Sequence, residues 1–207
     1  MGRTAAPSGA SVGKYEAVSF PEGGTEESLR ILNENSTKFL ELESNDLKSI
    51  DGVIKSMDKT SNYSKIGGAL AYAITIASME SASKAAGKPL FELISEQNEY
   101  RFPIPIGNIL GGGVHAGPGT PDIQEILISA TGAKTIRDAI ETNFKVHKEL
   151  RNVIEKADPG FTNGRGDEGG WAPKCDNEKA LELCAKACEN LGYTLSKEVS
   201  LLSLIHI

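Results

Sequence analysis

Residues 166–173 read Gly-Asp-Glu-Gly-Gly-Trp-Ala-Pro, two adjacent carboxylates set between glycines and closed by a tryptophan and a proline. Glycines let the backbone bend sharply and proline ends any helix, so this segment is a turn that presents an acid, not part of a regular element. It sits inside a Gly- and Asn-rich stretch, residues 161–173. An exposed Asp-Glu turn is the simpler reading of such a motif standing alone. Two more dense Gly/polar loops upstream, residues 5–16 and 107–125, favour a shared site.

The chain is long enough for such a site to have a core behind it. With 207 residues, 39% hydrophobic and 24% charged, it has the composition of an ordinary soluble protein of one or two domains. A net charge of -6 and a pI near 5.2 argue against a nucleic-acid or anionic-membrane surface, which needs clustered Lys and Arg. No apolar run approaches the ~20 residues of a membrane span. Three cysteines, Cys175, Cys184 and Cys188, with no signal peptide to read at the start, lead us to expect reduced thiols and a cytoplasmic setting. Cys184 and Cys188 are one turn apart on a predicted helix. No second pair or neighbouring His completes a metal set, so they are read as packing residues.

Along the chain, residues 5–16 form a loop of small and hydroxyl residues without the spacing of a phosphate-binding P-loop. Residues 25–56 carry a helical pattern whose apolar stripe is Leu29, Leu32, Phe39, Leu40 and Leu42, then Leu47, Ile50, Val53, Ile54 and Met57. A longer, more apolar helix over 65–86 stops at Gly87, and residues 89–94 add one short turn. The polar stretch 95–101 reads as a linker and a domain boundary. Beyond it, residues 103–110 predict a strand feeding the Gly111-Gly112-Gly113 loop, and residues 123–129 a second strand. An amphipathic helix is expected over 135–157, with Ile136, Ala139, Ile140, Phe144, His147, Leu150 and Ile154 inward. His147 on that stripe is read as a packed, hydrogen-bonded histidine. A last helix over 176–191 has Asp176 or Asn177 as its cap and buries Leu181, Cys184, Ala187, Cys188 and Leu191. Strand, loop and helix in this order predict the opening of an α/β barrel.

Taken together, the loops resemble the enolase family. The residues that carry the resemblance are Ala6-Pro7-Ser8-Gly9-Ala10-Ser11 with Gly13, then Asn108, Gly111-Gly112, His115-Ala116-Gly117 and Gln124-Glu125, then Gly166-Asp167-Glu168-Gly169-Gly170 with Ala172-Pro173. Order and spacing agree over residues 3–201. The resemblance implies a small α+β N-terminal domain, residues 1–100, followed by the first part of an α/β (TIM-type) barrel, residues 101–201, with 202–207 a tail outside the family pattern. It implies dehydration of 2-phosphoglycerate to phosphoenolpyruvate, with Mg2+ as cofactor and a homo-oligomer in the intact family. By matched position, Ser11 is the mobile-loop serine that closes on substrate and helps hold a second Mg2+. His115 folds over the phosphate end. Gln124 and Glu125 reach the substrate, Glu125 near the departing hydroxyl. Glu168 is the general acid, and Asp167 has at most a supporting, loop-fixing role.

Departures from the family pattern bound that expectation. Val12 stands for a usual Thr, Gly113-Val114 for Gly-Ser, Ile126 for a Phe, and Trp171 for a Phe; the Gly113-Val114-His115 form is similar to archaeal-type members. The family's first strand pair, its three acidic ligands of the principal Mg2+ and its base lysine are expected to lie outside this stretch of chain. Residues 202–207, including His206, are read as a tail arising from a frame slip, a cloning artefact or a broken gene. The second function class is therefore a catalytically inactive fragment, at most a binding or dimerising module. An acid-sugar dehydratase of the same superfamily is disfavoured, since those lack the mobile serine loop paired with Gly-Asp-Glu-Gly-Gly.

Overall fold

The computed structural model describes residues 1–7, 9, 12–95, 97 and 99–204. Ser11 and His206 lie outside the described residues, so the roles expected of them rest on the sequence alone. The chain divides into two compact units, Met1–Tyr100 and Arg101–Ile207.

The first unit is built from helices among its described residues: α1 (Gly24–Asn35), a 3-10 turn (Ser36–Phe39), α2 (Leu47–Met57), α3 (Gly68–Ala86) and α4 (Leu90–Ile94). Ile31, Ile50, Ile54, Met57, Ile66 and Ala71 form its core. The helical stretch expected over 25–56 is thus two helices joined by a 3-10 turn. Asp46 starts α2 afresh, its carboxylate accepting from Ser49 N at 3.0 Å. Leu29 and Leu40, assigned to the buried stripe, are 49% and 79% exposed. Leu29 stands two residues from Ile31 on α1, on the opposite side of the helix from the core that Ile31 enters, and Leu40 follows the 3-10 turn. At the far end of α2, the buried carboxylate of Asp58 accepts from Thr60 N and Oγ1, Lys65 N and Ile66 N at 2.6–2.9 Å, folding the connection to α3. α3 ends at Gly87, in the left-handed region with φ 63°, as expected.

The second unit carries the strands. β1 (Ile106–Gly111), β2 (Glu125–Ser129) and β3 (Ser200–Leu202) form one sheet in the order β1-β2-β3, and helices α5 (Ile136–Ala157) and α6 (Asn177–Asn190) lie between β2 and β3 in sequence. Both pairings are antiparallel, with Gly111 opposite Glu125 and Leu127 opposite Leu202. A run of βα units alone would give parallel neighbours; here a direct β1-to-β2 loop turns the chain back on itself before the first helix. Ile126, Leu127 and Ile128 are all buried, so β2 is covered on both faces instead of alternating.

α5 and α6 are capped by Thr135 and Asp176, which accept from Asp138 N at 3.1 Å and Lys179 N at 2.8 Å. α5 buries Val146, Leu150, Val153 and Ile154 against Ala180, Leu183, Cys184, Ala187 and Cys188 of α6 and against Ile109, Leu110, Ile126 and Ile128 of the sheet. Ile140 and Phe144, expected inward, are 54% and 66% exposed, and Leu181 is 44% exposed. Ala139, Leu150 and Ile154 are buried as expected, and Val146 and Val153 complete the stripe in place of Ile140 and Phe144. Burial raises the thiol of Cys184 far above its ordinary range and pushes that of Cys188 up to about 11, so both act as apolar packing groups.

Candidate active site

The Asp-Glu turn is fixed to the sheet by its own backbone. Trp171 N donates to Ile109 O at 3.0 Å, and Gly111 N donates to Trp171 O at 2.9 Å, which lays Trp171 alongside the end of β1. Gly166 N donates to Gly170 O and Gly169 N to Gly166 O, each at 2.9 Å, closing a tight turn with Asp167 and Glu168 at its two corners. Gly169 takes φ 83°, and a Cβ on Gly170 would collide with Asn108 Oδ1 and stand 2.9 Å from Gly111 N. The left-handed φ at Gly169 favours glycine, and the crowding at Gly170 leaves no room for a side chain, so the turn lies close against β1.

Corner geometry sends the two acids in different directions. Asp167 Oδ2 lies 3.6 Å from His115 Nδ1. Glu168 Oε2 accepts from Asn108 Nδ2 at 3.2 Å. Glu168 also meets Glu125, the first residue of β2. Burial, a hydrogen bond to Glu168 and the charge of Glu168 hold the Glu125 carboxyl above its ordinary value, while the charge of His115 pulls the other way. Two carboxyl groups in mutual contact do not both ionise cheaply, so Glu125 holds its proton to higher pH than an isolated glutamate does.

The loop between β1 and β2 supplies the rest. Gly112 N donates to Gln124 O at 2.9 Å and Gly113 N to Pro121 O at 2.7 Å, so the excursion from Gly113 to Asp122 is pinched at its base. His115 ends a short 3-10 turn (Gly113–His115), its side chain 15% exposed. Asn177, the first residue of α6, accepts from Asp122 N and Ile123 N at 2.8 and 3.2 Å and anchors the returning limb. Asp176 is therefore the helix cap, and Asn177 holds the loop. Gln124 is 2% exposed, and its Oε1, like Asn108 Oδ1, is buried with no hydrogen-bond partner among the described residues. Such orphaned acceptors beside a carboxyl pair are donor-seeking positions of the kind found where a ligand binds.

Of the residues singled out in the sequence, Glu168, Glu125, His115 and Gln124 thus share one end of the sheet, where β1 stops and β2 starts. Asp167 has a specific partner in His115. Asn108 entered the reading only as part of a motif, and its amide proves to hold Glu168. His147 is hydrogen-bonded, as expected, but to the acid turn: its Nε2 is 3.0 Å from Gly169 O and its ring stacks on Trp171 at 5.0 Å. Helical spacing gave no sign of that partner. Among the described residues no group of three or more His, Cys, Asp or Glu is placed to hold a metal ion. A groove of about 530 Å³ between α5 and α6, lined by Lys156, Lys179, Glu182 and Lys186, does not include the carboxyl pair.

A three-stranded sheet with helices packed on it, and two carboxyls and a histidine–aspartate pair at one end, is consistent with the opening of an incomplete barrel. Residues 1–94 match the model of the enolase N-terminal domain, and residues 99–203 that of the enolase C-terminal TIM barrel domain. The chain belongs to the enolase family. It is 42% identical to an enolase of Methanosphaera stadtmanae over 193 residues, covering 93% of this chain and 47% of that protein. Against an enolase of Methanothermobacter thermautotrophicus it is 41% identical over 200 residues, 96% of this chain and 48% of the relative. Against enolase 2 of Pseudomonas syringae pv. syringae it is 36% identical over 211 residues, covering 97% and 49%. The chain spans about half the length of the curated relatives it matches. No helix among the described residues is long and apolar enough to cross a membrane.

Proposed function

We propose that this sequence is part of a phosphopyruvate hydratase, a glycolytic lyase of the cytoplasm that dehydrates 2-phosphoglycerate to phosphoenolpyruvate and works as a dimer or larger homo-oligomer. The observation that carries this reading is the coupled pair Glu125 and Glu168, with Glu125 held above its ordinary value. Dehydration takes a proton from the carbon beside the substrate carboxylate and releases the hydroxyl of the next carbon as water. The hydroxyl leaves as water once an acid gives it a proton, and a carboxyl set against a second carboxyl is suited to that transfer. By family position Glu168 gives the proton, with Glu125, the member of the pair held above its ordinary value, beside the departing oxygen. His115 and Gln124 bind the substrate, and Ser11 closes over it. Asp167 orients His115, a role their 3.6 Å separation supports.

Family membership implies Mg2+, which when bound would neutralise the dianion formed on loss of the carbon-bound proton. The described residues do not make up a principal metal set, and no step assigned to them runs through the ion. Ser11 is the residue of this chain that matches a ligand of a second Mg2+.

Coverage of about half of each relative favours a second reading for the 207-residue chain by itself, an inactive fragment serving at most as a binding or dimerising module. Phosphoenolpyruvate absorbance, followed with 2-phosphoglycerate and Mg2+, separates the readings. Turnover by the 207-residue chain overturns the fragment reading. Turnover by the family-length protein that is lost in Glu168→Gln supports the lyase reading, and none by that protein overturns it.

A further inference from the structure

One polar side chain of α5 reaches the acid turn from outside the carboxyl pair. His147 Nε2 stands 3.0 Å from the carbonyl oxygen of Gly169, the residue that follows Glu168. The carbonyl of the same His147 accepts from Trp171 Nε1 at 2.8 Å, and the two rings stack at 5.0 Å with planes 27° apart. Residue 147 is thus joined three ways to the two sides of Gly170. Gly169 is the residue of the turn with the most backbone freedom, at φ 83° with no side chain to pack. Its N–H is held by Gly166 O, and its carbonyl would be free to swing without the imidazole. A carbonyl can only accept, so the contact requires the proton on Nε2 of His147.

We propose that His147 is a positioning residue for the acid turn: its Nε2–H on Gly169 O sets where the turn places the Glu168 carboxyl against Glu125 and Asn108. The stack on Trp171 and the bond from the indole to the His147 carbonyl carry the ring to that carbonyl, so α5 acts as the fixed support on which the turn is hung. The proposal rests on the lyase reading only in calling Glu168 an acid; the geometry it describes is independent of turnover.

The test uses the 207-residue chain and needs no activity. In wild-type protein, the imidazole nitrogens of His147 are observed by 15N NMR, and Nε2 is expected to be the protonated one; a bare Nε2 overturns the proposal outright. His147→Phe keeps a ring on Trp171 and the backbone acceptor for the indole but removes the donor. Amide exchange at Gly166 and Gly169 is expected to rise about three- to tenfold, the loss of one hydrogen bond. The Trp171 indole proton, the reporter of structure alone, stays within about twofold. The Glu125 carboxyl, followed by 13C NMR, shifts toward its ordinary value as Glu168 drifts from it. His147→Gln, which can still donate, recovers part of the protection at Gly169. Unchanged exchange at Gly166 and Gly169, or an unchanged Glu125 titration, in a folded His147→Phe protein contradicts the proposal. If that variant does not fold, His147→Gln and the wild-type imidazole spectrum decide it: Gly169 protection lost in a folded His147→Gln counts against a donor role.

Discussion

Asn108 Nδ2 donates to Glu168 Oε2 at 3.2 Å, while the other end of the same amide, Oδ1, is buried with no partner among the described residues and faces the space a Cβ on Gly170 would fill. One side chain thus fixes the acid and spaces the glycine turn that carries it. Asn108→Ala is expected to leave the fold intact and lower kcat of the family-length lyase by about 10²-fold, since a displacement near 1 Å at a reacting group costs on that order. Steady-state kinetics with 2-phosphoglycerate checks this; a kcat within about twofold of wild type contradicts it.

Glu125 makes stability depend on pH in a definite direction. Burial first, then the hydrogen bond and charge of Glu168, raise its folded value above the ordinary 4.5. The folded chain therefore binds more protons than the unfolded one between those two values. Stability falls as pH climbs through that window, and the full cost is present above it. Glu125→Gln, neutral at every pH, should raise the unfolding temperature more at pH 7 than at pH 4. Thermal unfolding at the two values checks the sign, and an equal shift at both contradicts it.

Asp58 behaves in the opposite sense. Burial acts to raise its carboxyl, but hydrogen bonds from Thr60, Ile66 and Lys65 outweigh it and hold the group below its ordinary value. Its contribution is present above the unfolded value and is lost as pH falls through the lowered folded one. Asp58→Ala should destabilise the N-terminal unit by about 1–3 kcal/mol at pH 7, the cost of leaving buried amides unpaired, and by less in acid. Urea unfolding across pH 3–7, at about one-unit steps, measures this; a pH-independent loss contradicts it.

Gly170→Ala should lift the acid turn off β1. A Cβ there has no room against Asn108 and Gly111 N, so the bonds Trp171 makes with Ile109 and Gly111 must shift, at a cost of about 1–3 kcal/mol. The chain has a single Trp, so emission reports on residue 171 directly. A red shift is expected; wild-type emission and stability contradict the account.

That Glu125, Gln124, His115 and Glu168 belong near one another was legible because glycine and proline mark loops whatever the tertiary context, and because these four polar residues, in two loops, matched one family pattern. What periodicity left open was which neighbour covers a given face. Ile140 and Phe144 fit the α5 stripe by spacing, yet Val146 and Val153 point at α6 while those two face outward. The antiparallel return of β2 depends on the pinched loop at Gly112 and Gly113, and strand patterns do not encode direction. His147 was legible as a bonded histidine, but its partner is a carbonyl 22 residues away, and carbonyls leave no trace in a sequence.

Contact with Glu168 holds the Glu125 carboxyl above its ordinary value, and site-resolved 13C titration of Glu125 in wild-type protein and in Glu168→Gln measures this most directly. The prediction is a wild-type titration above the ordinary glutamate value that falls in the variant, keeping only the part that burial causes. An ordinary titration in the wild type, or the same raised curve in both proteins, would contradict the coupled pair and the acid role built on it.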